Sequence, residues 1–256
     1  MNFCSSKRII PKAETTIVTA AFVALLANPG FMQNASASSN NSVNRSVSVS
    51  ADSEAQNVSS VNGDVTLSAG ANAKDLSNVN GDIELGGNNT VQDISSVNGS
   101  IEASKSLRVN GDISSVNGDI ELGLDSQITG EITTVNGELN FAGGSIAKDI
   151  TTVNGDLELG TVTVQGNIFT TWGDVVLNGA AVMGELRVKK PRVSNWWGKD
   201  PQPPRIVLGA GARVAGAITL EQPATIFVHQ DAKMPTINGA MVGGAVVRFS
   251  GAKAPL

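Results

Sequence analysis

The chain contains 256 residues, carries a net charge of −5 and has one cysteine, Cys4. A single cysteine cannot form an intramolecular disulfide, so a disulfide-stabilised fold is excluded. Tyrosine is absent and only three tryptophans occur. A large aromatic core is therefore excluded, and stacked aliphatic side chains must supply the stability.

The N-terminal segment has the features of a bacterial export signal. Basic residues precede an apolar run over residues 15–27, and an Ala-x-Ala cleavage motif ends at Ala37. The alternative is a retained membrane anchor, but the run is shorter than the ~20 residues that a membrane-spanning helix needs, and Pro29 and Gly30 end it. The sequence predicts a cleaved signal peptide over residues 1–37, no transmembrane segment after cleavage, and a periplasmic, outer-envelope or secreted protein.

Residues 38–57 are rich in Ser and Asn and show no apolar period. Such a composition buries too little apolar surface to offset the entropy lost on folding. This segment is predicted to be a disordered linker that leads into a folded domain over residues 58–256.

A Val-Asn-Gly repeat dominates the next part of the chain. Its asparagines follow one another at intervals of 18 or 19 residues, and a degenerate copy, Thr171-Trp172-Gly173, comes 18 residues after the last. A period this short and constant indicates one structural unit used many times. The six asparagines are Asn62, Asn80, Asn98, Asn117, Asn136 and Asn154.

Apolar and polar residues alternate within each copy, as in Asp82-Ile83-Glu84-Leu85, which predicts short strands with one face buried. Two all-β architectures fit. Asn-Gly is a strong hairpin signal and suits an antiparallel meander, whereas a constant repeat suits a β-solenoid with one copy per coil. We favour a single-stranded β-solenoid with about 18 residues per coil, because each copy has three apolar clusters that suit three walls around a narrow core.

A solenoid brings equivalent residues of successive copies into contact. Coils stack about 4.8 Å apart, so the six repeat asparagines are predicted to form a turn ladder of stacked side-chain amides, as in cross-β assemblies.

Residues 189–205 interrupt the repeat with prolines, basic residues and two tryptophans. A second signature, Val-x-Gly-x-Ile/Leu, has the same period and returns at Val214, 32 residues after its copy at Val182. Since 32 is one period of 18 plus 14, residues 189–205 are predicted to form a loop inserted between two coils. Prolines suit a protruding loop because they cannot donate to a β-ladder.

Charge is distributed unevenly along the chain. Residues 58–186 contain 17 acidic and 4 basic residues, and residues 187–256 contain 3 acidic and 10 basic residues. The resulting net charges of −13 and +7 predict self-association of the acidic body of one copy with the basic end of another. The basic end also suits an envelope polysaccharide or another anionic surface, and no nucleic-acid-binding motif is found.

Acidic residues recur at three fixed positions of the repeat and are predicted to form columns on the outside of the solenoid. Carboxylates about 5 Å apart repel one another, and Ca²⁺ relieves such repulsion when it binds several of them. We favour the alternative, a solvated acidic face without cofactor or metal. The columns are Asp64, Asp82, Asp119, Glu138, Asp156 and Asp174; Glu84, Glu102, Glu121 and Glu158; and Asp75, Asp93, Asp112, Glu131 and Asp149.

The inserted loop supplies the candidate partner-binding residues. They are Arg192, Trp196, Trp197, Lys199 and Arg205. Indole rings flanked by cations can stack on a sugar ring or insert at a membrane interface. Alternatively, the indoles fold back and cover the side of the solenoid.

Signals of catalysis are weak. His229, the single histidine, lies in an apolar strand context that favours a structural role, and no Gly-x-Ser-x-Gly, phosphate-loop or zinc-ligand motif occurs. An enzyme acting on polysaccharides needs a cleft with a paired acid and base, and the inserted loop offers only Asp200 as an acid. No catalytic residue is predicted.

Two stretches resemble known families. Copies of Val-Asn-Gly-Asp-Ile-Glu-Leu-Gly over residues 58–188 resemble the exported bacterial adhesin type of β-solenoid, and Leu-Gly-Ala-Gly-Ala-Arg-Val-Ala-Gly-Ala-Ile over residues 208–218 resembles the bactofilin, or polymer-forming, pattern. The resemblances imply a right-handed parallel β-helix that adheres or assembles without catalysis. The export signal departs from the bactofilins and favours the cell envelope over a cytoskeletal role.

The expected function is therefore that of a noncatalytic structural or adhesive protein of the bacterial envelope. The alternative is a carbohydrate-binding module or polysaccharide-active enzyme that uses the Trp196-Trp197 loop.

Overall fold

A computed structural model describes residues 39–191, 202–241, 246–251 and residue 254. These residues form an all-β structure and contain no helix. The predicted signal peptide over residues 1–37 lies outside the described residues.

The described part of the chain contains 25 strands, β1 to β25 in chain order, which pair in parallel with the strands one coil before and one coil after. Their bounds are Asn40–Ser42, Val47–Val49, Glu54–Asn62, Val65–Leu67, Asn72–Asn80, Ile83–Leu85, Thr90–Asn98, Ile101–Ala103, Arg108–Val109, Ile113–Asn117, Ile120–Leu122, Ser126–Ile128, Ile132–Asn136, Leu139–Ile146, Ile150–Asn154, Leu157–Val164, Ile168–Thr170, Val175–Leu177, Ala181–Val182, Leu186–Val188, Arg205–Leu208, Arg213–Val214, Ala217–His229, Thr236–Met241 and Val247–Phe249.

Each coil contributes to three parallel ladders, which we call walls A, B and C. In one central coil, wall A is β10 (Ile113–Asn117), wall B is β11 (Ile120–Leu122) and wall C is β12 (Ser126–Ile128). Elsewhere one strand runs through two walls, as β14 (Leu139–Ile146) does for walls B and C. Parallel pairing throughout excludes an antiparallel meander, so the predicted solenoid is confirmed.

The stack comprises about eleven coils, counted along the inner column of wall A. At the coil spacing of about 4.8 Å, eleven coils make a rod roughly 50 Å long. The column members, each paired with the next, are Asn40, Val58, Leu76, Ile94, Ile113, Ile132, Ile150, Ile168, Leu186, Ile218 and Ile237.

Aliphatic side chains of equivalent residues stack inside the walls. Ile113, Ile120 and Ile132 are each 0% exposed, and each pairs with an apolar residue in the neighbouring coil. Burial of such a side chain stabilises the fold by roughly 1.5–3 kcal/mol. Because every coil adds the same few residues to the core, stability comes from contacts between neighbouring coils.

Among the described residues, Phe141 is the one aromatic side chain in a main core that is otherwise aliphatic. It is fully buried, and its register neighbours in wall B are Leu122 and Leu159. Gly144 makes room for the ring, since a Cβ atom there would lie 2.9 Å from Cζ of Phe141. The larger side chain and the smaller one therefore complement each other within one coil.

The stack begins earlier than the sequence predicts. Within residues 38–57, predicted to be a disordered linker, β1 (Asn40–Ser42) and β2 (Val47–Val49) pair with β3 and β4 of the next coil. Only Val47 and Val49 of these strands pack against the core. An end coil needs few apolar residues because its backbone groups pair with a coil that is already formed.

The inserted segment leaves the register of the coils unchanged. Val175 pairs with Ile206, and Val182 pairs with Val214, so the coils on either side stack directly. The strand before the insertion ends at Val188 and the strand after it begins at Arg205. The pairing of Val182 with Val214 agrees with their separation of 32 residues, one period of 18 plus 14.

Candidate functional site

The repeat asparagines form a ladder of hydrogen-bonded side-chain amides at the corner between walls A and B. Nδ2 of Asn117 donates to Oδ1 of Asn98 at 2.9 Å, and every other step measures 2.8–2.9 Å. The ladder starts at Asn44, one coil before the first repeat asparagine, and runs to Asn154. Trp172 takes the next position, bridged to Asn154 through the backbone.

The glycine after each asparagine allows the coils to approach closely at this corner. Gly81 has φ +133°, and a Cβ atom there would lie 2.6 Å from the carbonyl oxygen of Gly63 in the preceding coil. A larger residue is therefore excluded both by conformation and by contact. In this chain Asn-Gly turns a solenoid corner, not a hairpin.

A small polar residue inside wall A completes the same corner. The Ser115 hydroxyl is buried and donates to the carbonyl oxygen of Gly118 at 2.9 Å, and Ser96 does the same to Gly99 at 2.8 Å. These bonds satisfy turn carbonyls that face the interior, which explains the Ser-Ser-Val-Asn form of the repeat.

The acidic column that follows Asn-Gly holds neighbouring coils together. Oδ1 of Asp82 accepts the backbone N–H of Ser100 at 2.8 Å, and Oδ1 of Asp119 accepts that of Glu138 at 2.7 Å. A carboxylate acceptor makes a stronger hydrogen bond than a neutral group. This column is therefore structural, a role that the sequence analysis missed.

The acidic column before the buried Ile or Leu of wall A acts in the same way at the opposite edge of that wall. Oδ1 of Asp93 accepts the N–H of Asp112, and Oδ1 of Asp112 accepts that of Glu131, both at 2.8 Å. The sequence signal for this structural role was the fixed position of these acids within the repeat. An outward Asp beside a turn commonly accepts hydrogen bonds from backbone N–H groups.

The third column, on wall B, differs because its carboxylates project from strands. Glu84, Glu102 and Glu121 are exposed and in register. Unit charges about 5 Å apart in water repel by roughly 1 kcal/mol. This column forms a solvated acidic stripe on the rod.

Three of the column acids have raised pKa values. Burial, followed by the charges of Asp156 and Asp119, raises the pKa of Glu138 above its ordinary value. Burial and the charge of Asp112 raise the pKa of Glu131, although Lys148 opposes them. For Asp75, burial raises the pKa against the opposing charge of Lys74. Burial, assisted by like charges in the same column, thus favours the protonated forms.

Within the described ranges, no three or more His, Cys, Asp or Glu side chains are grouped to hold a metal ion. The favoured metal-free acidic face stays a prediction, with Ca²⁺ binding along the columns as its alternative. Most corner carboxylates already accept one backbone hydrogen bond, which leaves their second oxygen for solvent or a cation.

Of the five predicted partner-binding residues, only Arg205 falls within the described part. Arg192, Trp196, Trp197 and Lys199 lie outside it. Arg205 opens β21, its backbone N–H donates to Oδ1 of Asp174 at 2.8 Å, and its guanidinium lies 5.1 Å from the centre of the Phe227 ring. Whether the five residues act together stays a prediction.

His229 is buried near the C-terminal end of the rod. Its Nδ1 accepts the backbone N–H of Asp231 at 3.1 Å, and its ring meets Phe249 edge-on at 5.1 Å. The hydrogen bond to Asp231 fixes the turn after β23 (Ala217–His229), and the ring contact joins that strand to β25 (Val247–Phe249).

The basic end contains both paired and exposed cations. Arg187 lies 2.8 Å from Glu185 and 3.3 Å from Glu221, so its charge is compensated within the chain. Arg213 and Lys233 are exposed. The effective cationic surface is therefore smaller than the sequence count suggests.

An apolar cluster that the sequence did not predict lies on the outer surface and consists of Val207, Phe227 and Phe249, with Val176 and Ala254 packed against it. It lies beside a groove of about 570 Å³ that Arg205 and Asp174 help to line. Val207 and Phe227 continue the outward column of wall B, but Phe249 lies after the repeat has ended, so no period predicts its contact with them.

Comparisons with protein-family models, curated proteins and solved structures found no match to this chain. No helix long and apolar enough to cross a membrane occurs in the part of the chain that the structure describes.

Proposed function

We propose that the chain is a noncatalytic, exported protein of the bacterial cell envelope with a structural or adhesive role, and that its copies associate with one another. The observation that carries the proposal is the in-register parallel stack, in which outward positions repeat the same functional group from coil to coil. Extended repetitive surfaces of this kind suit solenoid proteins that bind large partners.

The commitment of polar side chains to the fold supports a noncatalytic role. Carboxylates such as Asp82 and Asp119 accept backbone N–H groups, and His229 accepts one as well. A general acid or base must instead be free to exchange a proton with a substrate.

Export is supported by the predicted signal peptide over residues 1–37 and by the resemblance of residues 58–188 to adhesin-type solenoids. The bactofilin-like stretch over residues 208–218 supports assembly. For self-association, the exposed Arg213 and Lys233 at the basic end would face the acidic columns of another copy, a contact that salt weakens.

Fractionation of bacteria that express the full chain with a C-terminal tag tests export. The expected result is a shortened product in the periplasm, the outer membrane or the medium. A full-length product confined to the cytoplasm contradicts the envelope role.

Sedimentation at low and high salt, followed by electron microscopy, tests assembly. Larger species at low salt that dissociate at high salt are expected. A monomer under both conditions at high protein concentration would remove the self-association part and leave the envelope role standing.

A further inference from the structure

The outward column of wall B changes character along the rod. Register places Asn140 and Glu158 in neighbouring coils, and the next members are Val176, Val207 and Phe227. These three side chains occupy outward positions, so packing of the main core does not account for them. Exposed positions that turn apolar in succession indicate a binding surface or an internal contact.

Part of this apolar column is covered by the C-terminal strand. Val207 and Phe227 are each 8% exposed, and Phe249 of β25 (Val247–Phe249), itself 9% exposed, packs against them. Val176 remains half-buried at the border with the polar part of the column. The strand therefore covers the column at Val207 and Phe227 and leaves it open at Val176.

A groove of about 570 Å³ lies where the open end of the column at Val176 meets the covered cluster. Val176, Val207 and Phe249 form its apolar lining, beside polar residues of neighbouring coils. This volume lies in the range of about 300–1,000 Å³ that is typical of small-molecule sites, which combine apolar walls with a few placed polar groups.

Two polar pairs also line the groove. Nδ2 of Asn178 donates to Oε1 of Glu158 at 3.1 Å, and Nη1 of Arg205 lies 4.0 Å from Oδ2 of Asp174. The ion pair cancels its own charge, and the amide already engages the Glu158 carboxylate. The Glu158 carboxylate keeps its charge, which disfavours an anionic ligand, whereas the hydroxyl groups of a neutral ligand can donate to the lone pairs that each carboxylate retains.

We propose that this groove binds a neutral sugar residue of a polysaccharide. A pyranose ring has an apolar C–H face that suits the Val176, Val207 and Phe249 wall, and its hydroxyl groups suit carboxylate, amide and guanidinium partners. The inference rests on the proposed adhesive function and names its ligand class. Every residue of the site lies on the rod itself and not among the loop tryptophans.

Binding is measured by calorimetry and saturation-transfer NMR on the full chain, with hexasaccharides of glucose, N-acetylglucosamine, mannose and galactose as probes. At least one is expected to bind. Asn178→Ala removes a polar partner and Val176→Arg fills the groove, and each is expected to weaken binding about tenfold or more.

Two matched controls lie on the outward face of wall B, outside the groove. Asn140→Ala deletes an amide there, and Thr66→Arg adds the same cation to the same column; both are expected to keep affinity within about twofold. Circular dichroism checks the fold of each variant, and Asn178→Ala decides the matter if Val176→Arg does not fold.

Binding of none of the four probes overturns the inference, as does binding that Asn178→Ala leaves intact. Loss of binding on Trp196→Ala with Trp197→Ala, without an effect of the groove variants, would place the sugar on the loop. A protein found in the envelope that binds no sugar contradicts this inference alone, whereas a cytoplasmic protein that binds sugar through the groove contradicts the proposed function alone.

Discussion

Nδ2 of Asn117 lies 2.9 Å from Oδ1 of Asn98, although 19 residues separate them along the chain. Such a contact requires the chain to complete one lap between the two asparagines. Because the same bond recurs at each copy from Asn44 to Asn154, each repeat unit of the sequence forms one coil of the structure. The walls, the acidic columns and the direct stacking across the insertion all depend on this correspondence.

Removal of one amide from the ladder should weaken the rod modestly. Asn117→Ala deletes the bond that Asn117 donates to Asn98 and the bond that it accepts from Asn136. Each exposed hydrogen bond contributes about 0.5–1 kcal/mol, so we expect the free energy of unfolding in urea to fall by about 1–2 kcal/mol. Asn140→Ala, on wall B and outside the ladder, should cost less than about 0.5 kcal/mol. Equal losses in the two variants would show that the ladder contributes no specific stability.

Truncation of the largest core side chain should cost more. Phe141 is 0% exposed, and Phe141→Ala leaves a cavity that rigid neighbouring coils cannot fill. The expected loss is about 3–5 kcal/mol in the free energy of unfolding. Leu124→Ala is the control, because Leu124 lies nearby and is 57% exposed; its loss should stay below about 1 kcal/mol. Similar losses in both variants would mean that the ring is not packed as described.

The central coils were predictable because their apolar spacing is faithful. Ile113, Ile132 and Ile150 occupy equivalent places in the sequence, and each pairs with the next in the structure. The first coil was not predictable, because Asn40 and Ser42 stand where later coils carry aliphatic or repeat residues. The first coil is stabilised by its backbone pairing with the second coil. No local pattern within residues 38–57 indicates this pairing.

The site was predicted less completely than the fold. The sequence places Asp82 on the outside, but its bond to the N–H of Ser100 depends on how closely the corner brings two coils together. The groove depends on the return of Phe249 onto Val207, a contact set by the register of the last strand. Val207 belongs to the repeated outward column of wall B, but Phe249 lies after the repeat has ended, so no period in the sequence links the two residues.

The raised pKa values predict how stability depends on pH. Burial and neighbouring carboxylates raise the pKa of Glu138 above 4.5, its ordinary value. A raised folded-state pKa means that the native protein holds the proton more tightly than the unfolded chain. The contribution of Glu138 to the free energy of unfolding therefore falls as pH rises from 4.5 through the raised pKa. Glu131 and Asp75 act in the same direction.

Thermal unfolding of the wild type and of Glu138→Gln across this window measures the effect. The melting temperature of the wild type relative to Glu138→Gln should decline as pH rises from 4.5 towards neutrality, and more steeply at low salt. Asn140→Ala, which removes no titratable group, should run parallel to the wild type. A difference between wild type and Glu138→Gln that grows in favour of the wild type with rising pH would contradict the assignment.

The register across residues 189–205 predicts that the rod can form without them. Val175 pairs with Ile206, and in the complete copy at 150–157 the four residues Val-Asn-Gly-Asp, 153–156, stand between Thr152 of wall A and Leu157 of wall B. Replacement of residues 189–205 by Val-Asn-Gly-Asp restores the 18-residue period between these two strands. We expect an unchanged β-sheet circular dichroism spectrum and a change in the free energy of unfolding below about 1 kcal/mol, because shortening a loop alters closure entropy only slowly.

The variant keeps Trp172 as its single tryptophan, so its fluorescence reports on the coil next to the replacement. A red-shifted, unfolded-like emission from Trp172 under native conditions would show that the inserted residues are part of the stack.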